Sequence, residues 1–479
     1  MIPRYQILNS DGVQCLHEAS LEILSRVGIR VHHDDVLTAL QDAGAQVHWD
    51  GKLVRIGEEL VHDALGKCTK QYTLYGRDGS QTARLGFGDI VTMSSPGQYS
   101  WLDWRRPGQR YAPTTREFHQ AVLVGDALEN IDIVGAMTQP VDVPEPIRDI
   151  FLTAELAKRT AKPTRVWIKD GTTARYILEI YRILAGGEDA MRQRPPVEAF
   201  IEPISPLTMP ATGMDILVEF CKVGLPVSFG PMVQSAATGP ATLAGTLAQE
   251  NAEVLAALVI TQTLRVGTPV MYGGIPHIMD PRTTMISFAS PEQALMAAAM
   301  SQMAKHYGLP VYLNTGLGDS KVVDAQAGLE RGMTFLMGAL CGGDLLGHMG
   351  IAGADQAASL VQLVVDNEMI SYVKRVVRGM ELSPESLALD VIAEVGPGGN
   401  FMPLIHTVKN YRKEFWLPST MWDRGTWESW VSDGGLSMSE RAQSRVEELL
   451  RRHQPEPLDD AIAREIDSVV AAASKQLLG

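Results

Sequence analysis

Apolar positions along the first stretch of the chain recur first at helical spacing and then as short extended runs. In LHEASLEILSRVG, Leu16, Ala19, Leu21, Ile23 and Leu24 fall mainly on one side of a helix that ends near Gly28. IRVH follows as a strand, VLTALQDAGA as a second helix, KLVRI as a strand and GEELVHDALGKC as a third helix. QYTLYG is a further strand, closed by the turn RDGS. Residues 1–125 therefore read as an α+β extension.

From about residue 130 the pattern changes to β-branched apolar runs separated by helical patterns. IDIVGAMT starts at Ile131, TRVWIKD at Thr164, EAFIEPIS at Glu198, PVSFGPMV at Pro226, PVMYGGIPHI at Pro269, PVYLNTGL at Pro310 and GDLLGHMG at Gly343. The starts are 33, 34, 28, 43, 41 and 33 residues apart, the spacing of strand–helix units in a parallel sheet. Continuous apolar runs suit strands covered on both faces, so residues 126–385 predict the core of a TIM (β/α)8 barrel, with a doubly wound sheet as runner-up. The eighth strand has three candidates: a segment near Ile90, VIAEVGPGG near Val391 and FMPLIHTV near Phe401. Residues 386–479 form a C-terminal region ending in the amphipathic helices SERAQSRVEELLRRHQ and LDDAIAREIDSVVAAASKQLL, suited to packing on the barrel or on a second subunit of a homo-oligomer.

Composition narrows the function. A net charge of −14 with no Lys/Arg-rich run disfavours nucleic acid and anionic membranes. The charge-free stretch Val223 to Gln249 is broken by Pro226, Pro231 and Pro240, so no lipid-spanning helix is expected there. The start, MIPRYQILNSDG, lacks a signal-peptide pattern and makes the cytoplasm the expected location. Cys15, Cys68, Cys221 and Cys341 are far apart and the histidines are scattered, which predicts neither a disulfide framework nor a metal site.

In a barrel, chemistry sits where the strands run out, so the residues that follow each apolar run are the candidates. Glu202 places a carboxylate inside FIEPISP, where burial shifts its pKa unless it is paired. Gln234, Tyr272, His277, Asn314 and His348 end or follow other runs, and a lone histidine there is more often a core residue than a ligand. Between Asn314 and Gly332 the loop NTGLGDSKVVDAQAGLERG holds Asp319, Ser320, Lys321, Asp324 and Gln326, without the order of a phosphate cradle. Tyr99, Trp101 and Trp104 cluster in GQYSWLDWRRPG, with 99 and 101 expected on one strand face, an arrangement able to box a cation or to form a surface contact.

The chain resembles the trimethylamine methyltransferase family through HEASLEILSRVGIRV (17–31), YTLYGRDGS (72–80), DALENID (126–132), GLGDSKVVDAQAG (316–328) and GPGGNFMPLIHTVKNYRKEFWLP (396–418). The resemblance implies a TIM-barrel enzyme that moves a methyl group from an amine nitrogen to the Co(I) of a corrinoid carried by a partner protein, with no tightly bound cofactor of its own. Family members that demethylate trimethylamine contain pyrrolysine. The segment expected to match it, Asp319 to Ala327, holds none.

A quaternary amine needs no such activation, because its nitrogen is already cationic and departs as a neutral tertiary amine. The expected substrate is glycine betaine, yielding dimethylglycine; proline betaine, carnitine and trimethylamine are the alternatives. Glu202, Asp319, Lys321 and Gln326 are the catalytic candidates, with His348, His277, Tyr99, Trp101, Tyr272, Gln234 and Asn314 as substrate contacts. Positioning and desolvation would do most of the work, since strong carboxylate contacts to the ammonium favour the ground state. A quaternary-amine binding protein without turnover, and an unrelated barrel lyase or isomerase, are the competing readings.

Overall fold

The computed structural model describes residues 5–106 and 108–479. Eight short parallel strands are named here β1 (Val91–Ser94), β2 (Val134–Gly135), β3 (Thr164–Arg165), β4 (Ala199–Ile201), β5 (Val227–Phe229), β6 (Val270–Tyr272), β7 (Tyr312–Asn314) and β8 (Leu345–Met349). Each lies in a run of buried residues, and a helix follows each one. β4, β5 and β6 form one parallel sheet, and β7, β8 and β1 another. β2 pairs with β3, while parallel bridges link β1 to Ile133 and β6 to Val311. Among the described residues no ladder joins β3 to β4 and no sheet closes on itself; side chains meet there instead, Arg165 Nη1 lying 2.9 Å from Glu198 Oε1.

The strand near Ile90 is the eighth parallel strand, so the strand set begins inside the 1–125 segment. The other two candidates are helical: Leu389–Val395 and Ile405–Glu414. Gly135 allows β2 to press against the chain leaving β1, since a Cβ there would lie 2.0 Å from the Ser95 carbonyl oxygen.

The N-terminal helices Ser10–Glu22, Asp34–Asp42 and Glu58–Lys67 pack on Leu243–Leu264. That helix is long and apolar enough by composition to cross a membrane, but 78% of its apolar window is buried inside the molecule. The hairpin Tyr72–Tyr75/Thr82–Leu85 sits beneath the N-terminal ends of the strands, where Tyr72 and Leu74 join Met93, Met271, Tyr312 and Leu345 in an inner apolar cluster. At the other end of the chain, Met438–Arg452 packs on Leu360–Arg378 and Thr115–Ala127, and Asp460–Leu477 packs on Gly171–Ala185 and Arg148–Arg159.

Candidate active site

The inner faces of β3, β4, β7 and β8 converge on one group. Arg165 is 3% exposed, so its charge has to be matched. Besides the Glu198 contact, its Nη2 donates to Ser228 Oγ at 3.1 Å, and Tyr72 donates its hydroxyl proton to Glu198. The guanidinium lies 4.8 Å from the Phe200 ring centroid and 5.8 Å from that of Tyr312, within cation–π range. Phe200 contacts Trp167 at 5.8 Å and Tyr312 at 5.5 Å between centroids, so three rings lie together above the ion pair.

Tyr312 Oη is 2.9 Å from His348 Nδ1, with the rings nearly perpendicular. Burial, and then the nearby Arg165 charge, push the His348 imidazole down to about 3, so it is neutral at physiological pH. It can donate one N–H to a ligand but brings no charge.

Glu202 is partly buried two residues past Phe200, and among the described residues its carboxylate makes no hydrogen bond or ion pair. Its pKa is raised to about 7, first by burial and then by the Asp355 charge, with Arg165 opposing. Asp355 comes from the hairpin that leaves β8, whose arms are Ile351–Ala352 and Ala357–Ala358. Crowding by the surrounding loops pushes Asp355 up to about 6 although its side chain still meets solvent, while a hydrogen bond from Gln98 pulls the other way. Gln98 Nε2 donates to Asp355 Oδ1 at 2.5 Å and to its carbonyl oxygen at 2.7 Å; Ser95 Oγ donates to Gln98 Oε1 at 2.9 Å. Two carboxyl groups therefore face the mouth beside an aromatic wall, with a route to water at Asp355.

Asn314 lies two residues beyond Tyr312 on β7 and shares its inner face. It is 1% exposed, and among the described residues neither amide atom has a partner; Thr138 Oγ1 is likewise buried and unpartnered. Such orphans each cost about 1–3 kcal/mol unless something bonds to them.

The remaining expected residues are placed elsewhere. Asp319 clasps the Phe288 loop, accepting from Ser287 Oγ at 2.6 Å and Phe288 N at 3.0 Å. Lys321 is exposed and donates to the Asp319 carbonyl oxygen at 2.8 Å, and Gln326, exposed in the helix Ala325–Cys341, donates to Glu330. Tyr272 points away from the strand interior, with its hydroxyl on Asn251 Oδ1 at 3.0 Å. His277 is buried against Phe288, its pKa lowered by burial, with Gln234 beside it in register. Tyr99 is 76% exposed and Trp101 1% exposed, so they do not share a face: the strand begins only at Trp101, which pairs with Ala358 and supports the hairpin carrying Asp355.

The sequence reading missed Arg165, Trp167, Phe200, Tyr312, Asp355 and Gln98. Arg165 interrupts the apolar run TRVWIKD as Glu202 interrupts FIEPISP, and that signal could have found it. Glu250 was missed too: buried behind the loop after β6, it is raised well above the carboxylate range by burial and by Glu253. Gly274 passes so close that a Cβ would lie 1.8 Å from its Oε1.

A parallel α/β scaffold with a carboxyl-bearing aromatic site at the strand ends defines the class, and comparison defines the family. Residues 1–477 match the family described as Trimethylamine methyltransferase (MTTB), and the chain belongs to that methyltransferase family. A glycine betaine methyltransferase from Desulfitobacterium hafniense (strain Y51) is 32% identical over 479 residues, covering 100% of this chain and 99% of the relative. The trimethylamine methyltransferase MttB of D. hafniense (strain DSM 10664 / DCB-2) is 31% identical over 88% of this chain and 84% of its own. MttB of Methanosarcina barkeri (strain Fusaro / DSM 804) is 30% identical, covering 99% and 96%. Among solved structures, the hydroxylamine complex of MtmB superposes with a TM-score of 0.55 at 13% identity, covering 93% of this chain and 89% of that one, a likeness of fold.

Proposed function

We propose that this protein transfers a methyl group from a quaternary amine, glycine betaine first among them, to the Co(I) corrinoid of a partner protein. The observation that carries this reading is Glu202, a partly buried carboxylate without a hydrogen-bond or ion-pair partner among the described residues, two positions past Phe200 and close enough to Tyr312 for its charge to act there, where the rings of Trp167, Phe200 and Tyr312 meet. A soft, permanently charged trimethylammonium group suits that setting: it takes no hydrogen bond, lies against ring faces and is drawn by carboxylates. The proposed scaffold is a (β/α)8 barrel, completed by the side chains between β3 and β4, with its mouth at the C-terminal strand ends.

The betaine carboxylate would take the Asn314 Nδ2 protons and a hydrogen from neutral His348, satisfying a buried amide that now has no partner. The methyl carbon then bonds to cobalt while the C–N bonding pair returns to nitrogen, so dimethylglycine leaves neutral at nitrogen and needs no acid. The chain's own residues hold the substrate and exclude water. The 32% relative described as a glycine betaine methyltransferase supports the choice of substrate, as does the absence of pyrrolysine from the sequence.

Calorimetric titration with glycine betaine at pH 8 tests the site. Glu202→Gln is expected to weaken binding at least about tenfold, the scale of losing one charged contact. Unchanged affinity would remove Glu202 from the pocket.

A further inference from the structure

On the N-terminal side, away from the strand ends that carry the candidate active site, the helices Ser10–Glu22, Glu58–Lys67 and Pro291–Tyr307 border a solvent-open cleft of about 780 Å³. His17, His62 and His306 line it together with Gln14, Glu18, Glu22 and Glu58. His17 Nε2 and His62 Nε2 face each other at 3.5 Å in rings only 14° from parallel. That separation is long for a hydrogen bond. It is a separation that two ligands on one ion can have: nitrogens so placed subtend about 113° at a metal ~2.1 Å from each, close to tetrahedral.

His17 is held at its other ring nitrogen, as metal-binding imidazoles are. Tyr307 Oη lies 3.0 Å from His17 Nδ1 and accepts from Asn251 Nδ2 at 2.9 Å, which fixes the ring with Nε2 turned toward His62; with Nδ1–H donating to Tyr307, Nε2 is the nitrogen that takes a metal. Further donors are near. Glu58, one helical turn before His62, has its Oε1 4.0 Å from His62 Nε2, and the His306 ring centroid is 5.5 Å from that of His17. Among the described residues no three of these donors already form a metal-binding group. Glu58 and His306 are exposed at the rim of the cleft, and the acidic lining favours a cation over an anion.

We infer that His17 and His62, with Glu58 or His306 closing the shell, form a site for a borderline divalent transition metal such as Zn²⁺ that ties the N-terminal helices to the helix Pro291–Tyr307. Imidazole donors select such ions over Mg²⁺ or Ca²⁺. The inference does not depend on the methyl-transfer reading.

The test is calorimetric titration of the chelator-treated full chain with Zn²⁺ at pH 7.5, with thermal melting as a second readout. One ion per chain is expected to bind with a Kd below ~10 μM, and Zn²⁺ should raise the Tm. His62→Ala, at a half-exposed position that folding tolerates, should lose at least about tenfold in affinity and abolish the Tm shift. Tyr307→Phe, which keeps the ring and removes the hydroxyl on His17, should lose about tenfold. Binding that His62→Ala leaves unchanged, or no binding up to ~1 mM, would overturn the site.

Discussion

Glu202 weakens the fold it sits in, and that is measurable. Its folded pKa of about 7 lies above the 4.5 of an ordinary glutamate, so between those values the folded chain holds a proton that the unfolded chain has released. The stability tied to the neutral form is therefore complete below about pH 4.5 and lost as pH rises through 7. Glu202→Gln should stabilise the protein at pH 8 by on the order of 2 kcal/mol and leave it unchanged at pH 4, read by urea denaturation at the two pH values. An equal effect at both would mean that the carboxylate is not strained by its surroundings. Asn314→Leu should likewise hold or raise stability, because it removes a buried amide without a partner, yet weaken betaine binding about tenfold or more in the titration used for Glu202. At this scale the sequence was half legible. A carboxylate inside an apolar run announced Glu202, whereas Phe200, Trp167 and Tyr312 looked like ordinary core. Asp355 lies in GADQ, a stretch with no apolar pattern, and enters the site only because the chain folds back after β8.

At the scale of elements, one buried ion pair knits the loop after β7 to the end of β8. Arg331, in the helix Ala325–Cys341, is 1% exposed and donates to the carbonyl oxygens of Gly316 and Ile351; its Nη1 also lies 2.9 Å from Asp366 Oδ2. Asp366 in turn accepts the Gly350 N–H at 2.8 Å. Arg331→Leu would leave Asp366 buried without its cation, and should cost about 3–5 kcal/mol in thermal or chemical unfolding. A loss under about 1 kcal/mol would show that the loops hold without it. The seven long apolar runs were legible because strands covered on both faces require them. β1 was ambiguous because Val91–Ser94 is a short VTMS segment, recognisable only once it pairs with β8. The second arm of the N-terminal hairpin, Thr82–Leu85, alternates exposed and buried over just four residues, too few to separate from loop.

Over the whole molecule, residues 381–413 stand out. The segment is anchored at its far end, where Arg375 and Arg378 donate to the Glu414 carbonyl oxygen and the Trp416 indole donates to Ser371. Between these ties Leu389 is 67% exposed, Met402 80% and Ile405 71%, and no residue of the helix Ile405–Glu414 is buried. Apolar side chains this exposed, on a segment without its own core, are of the kind that a second copy of this chain is expected to cover. Light scattering should give a dimer or larger, and the double variant Met402→Asp/Ile405→Asp should shift it toward monomer; a monomeric parent chain would contradict this.

The central claim is the reaction, and anaerobic spectroscopy of cobalt(I) cobalamin tests it most directly, with the protein and either glycine betaine or trimethylamine added. The account predicts conversion to methylcobalamin with glycine betaine, none with trimethylamine, and in Glu202→Gln a loss of rate at low betaine that saturating betaine restores. Methylcobalamin formed from trimethylamine and not from glycine betaine would contradict it.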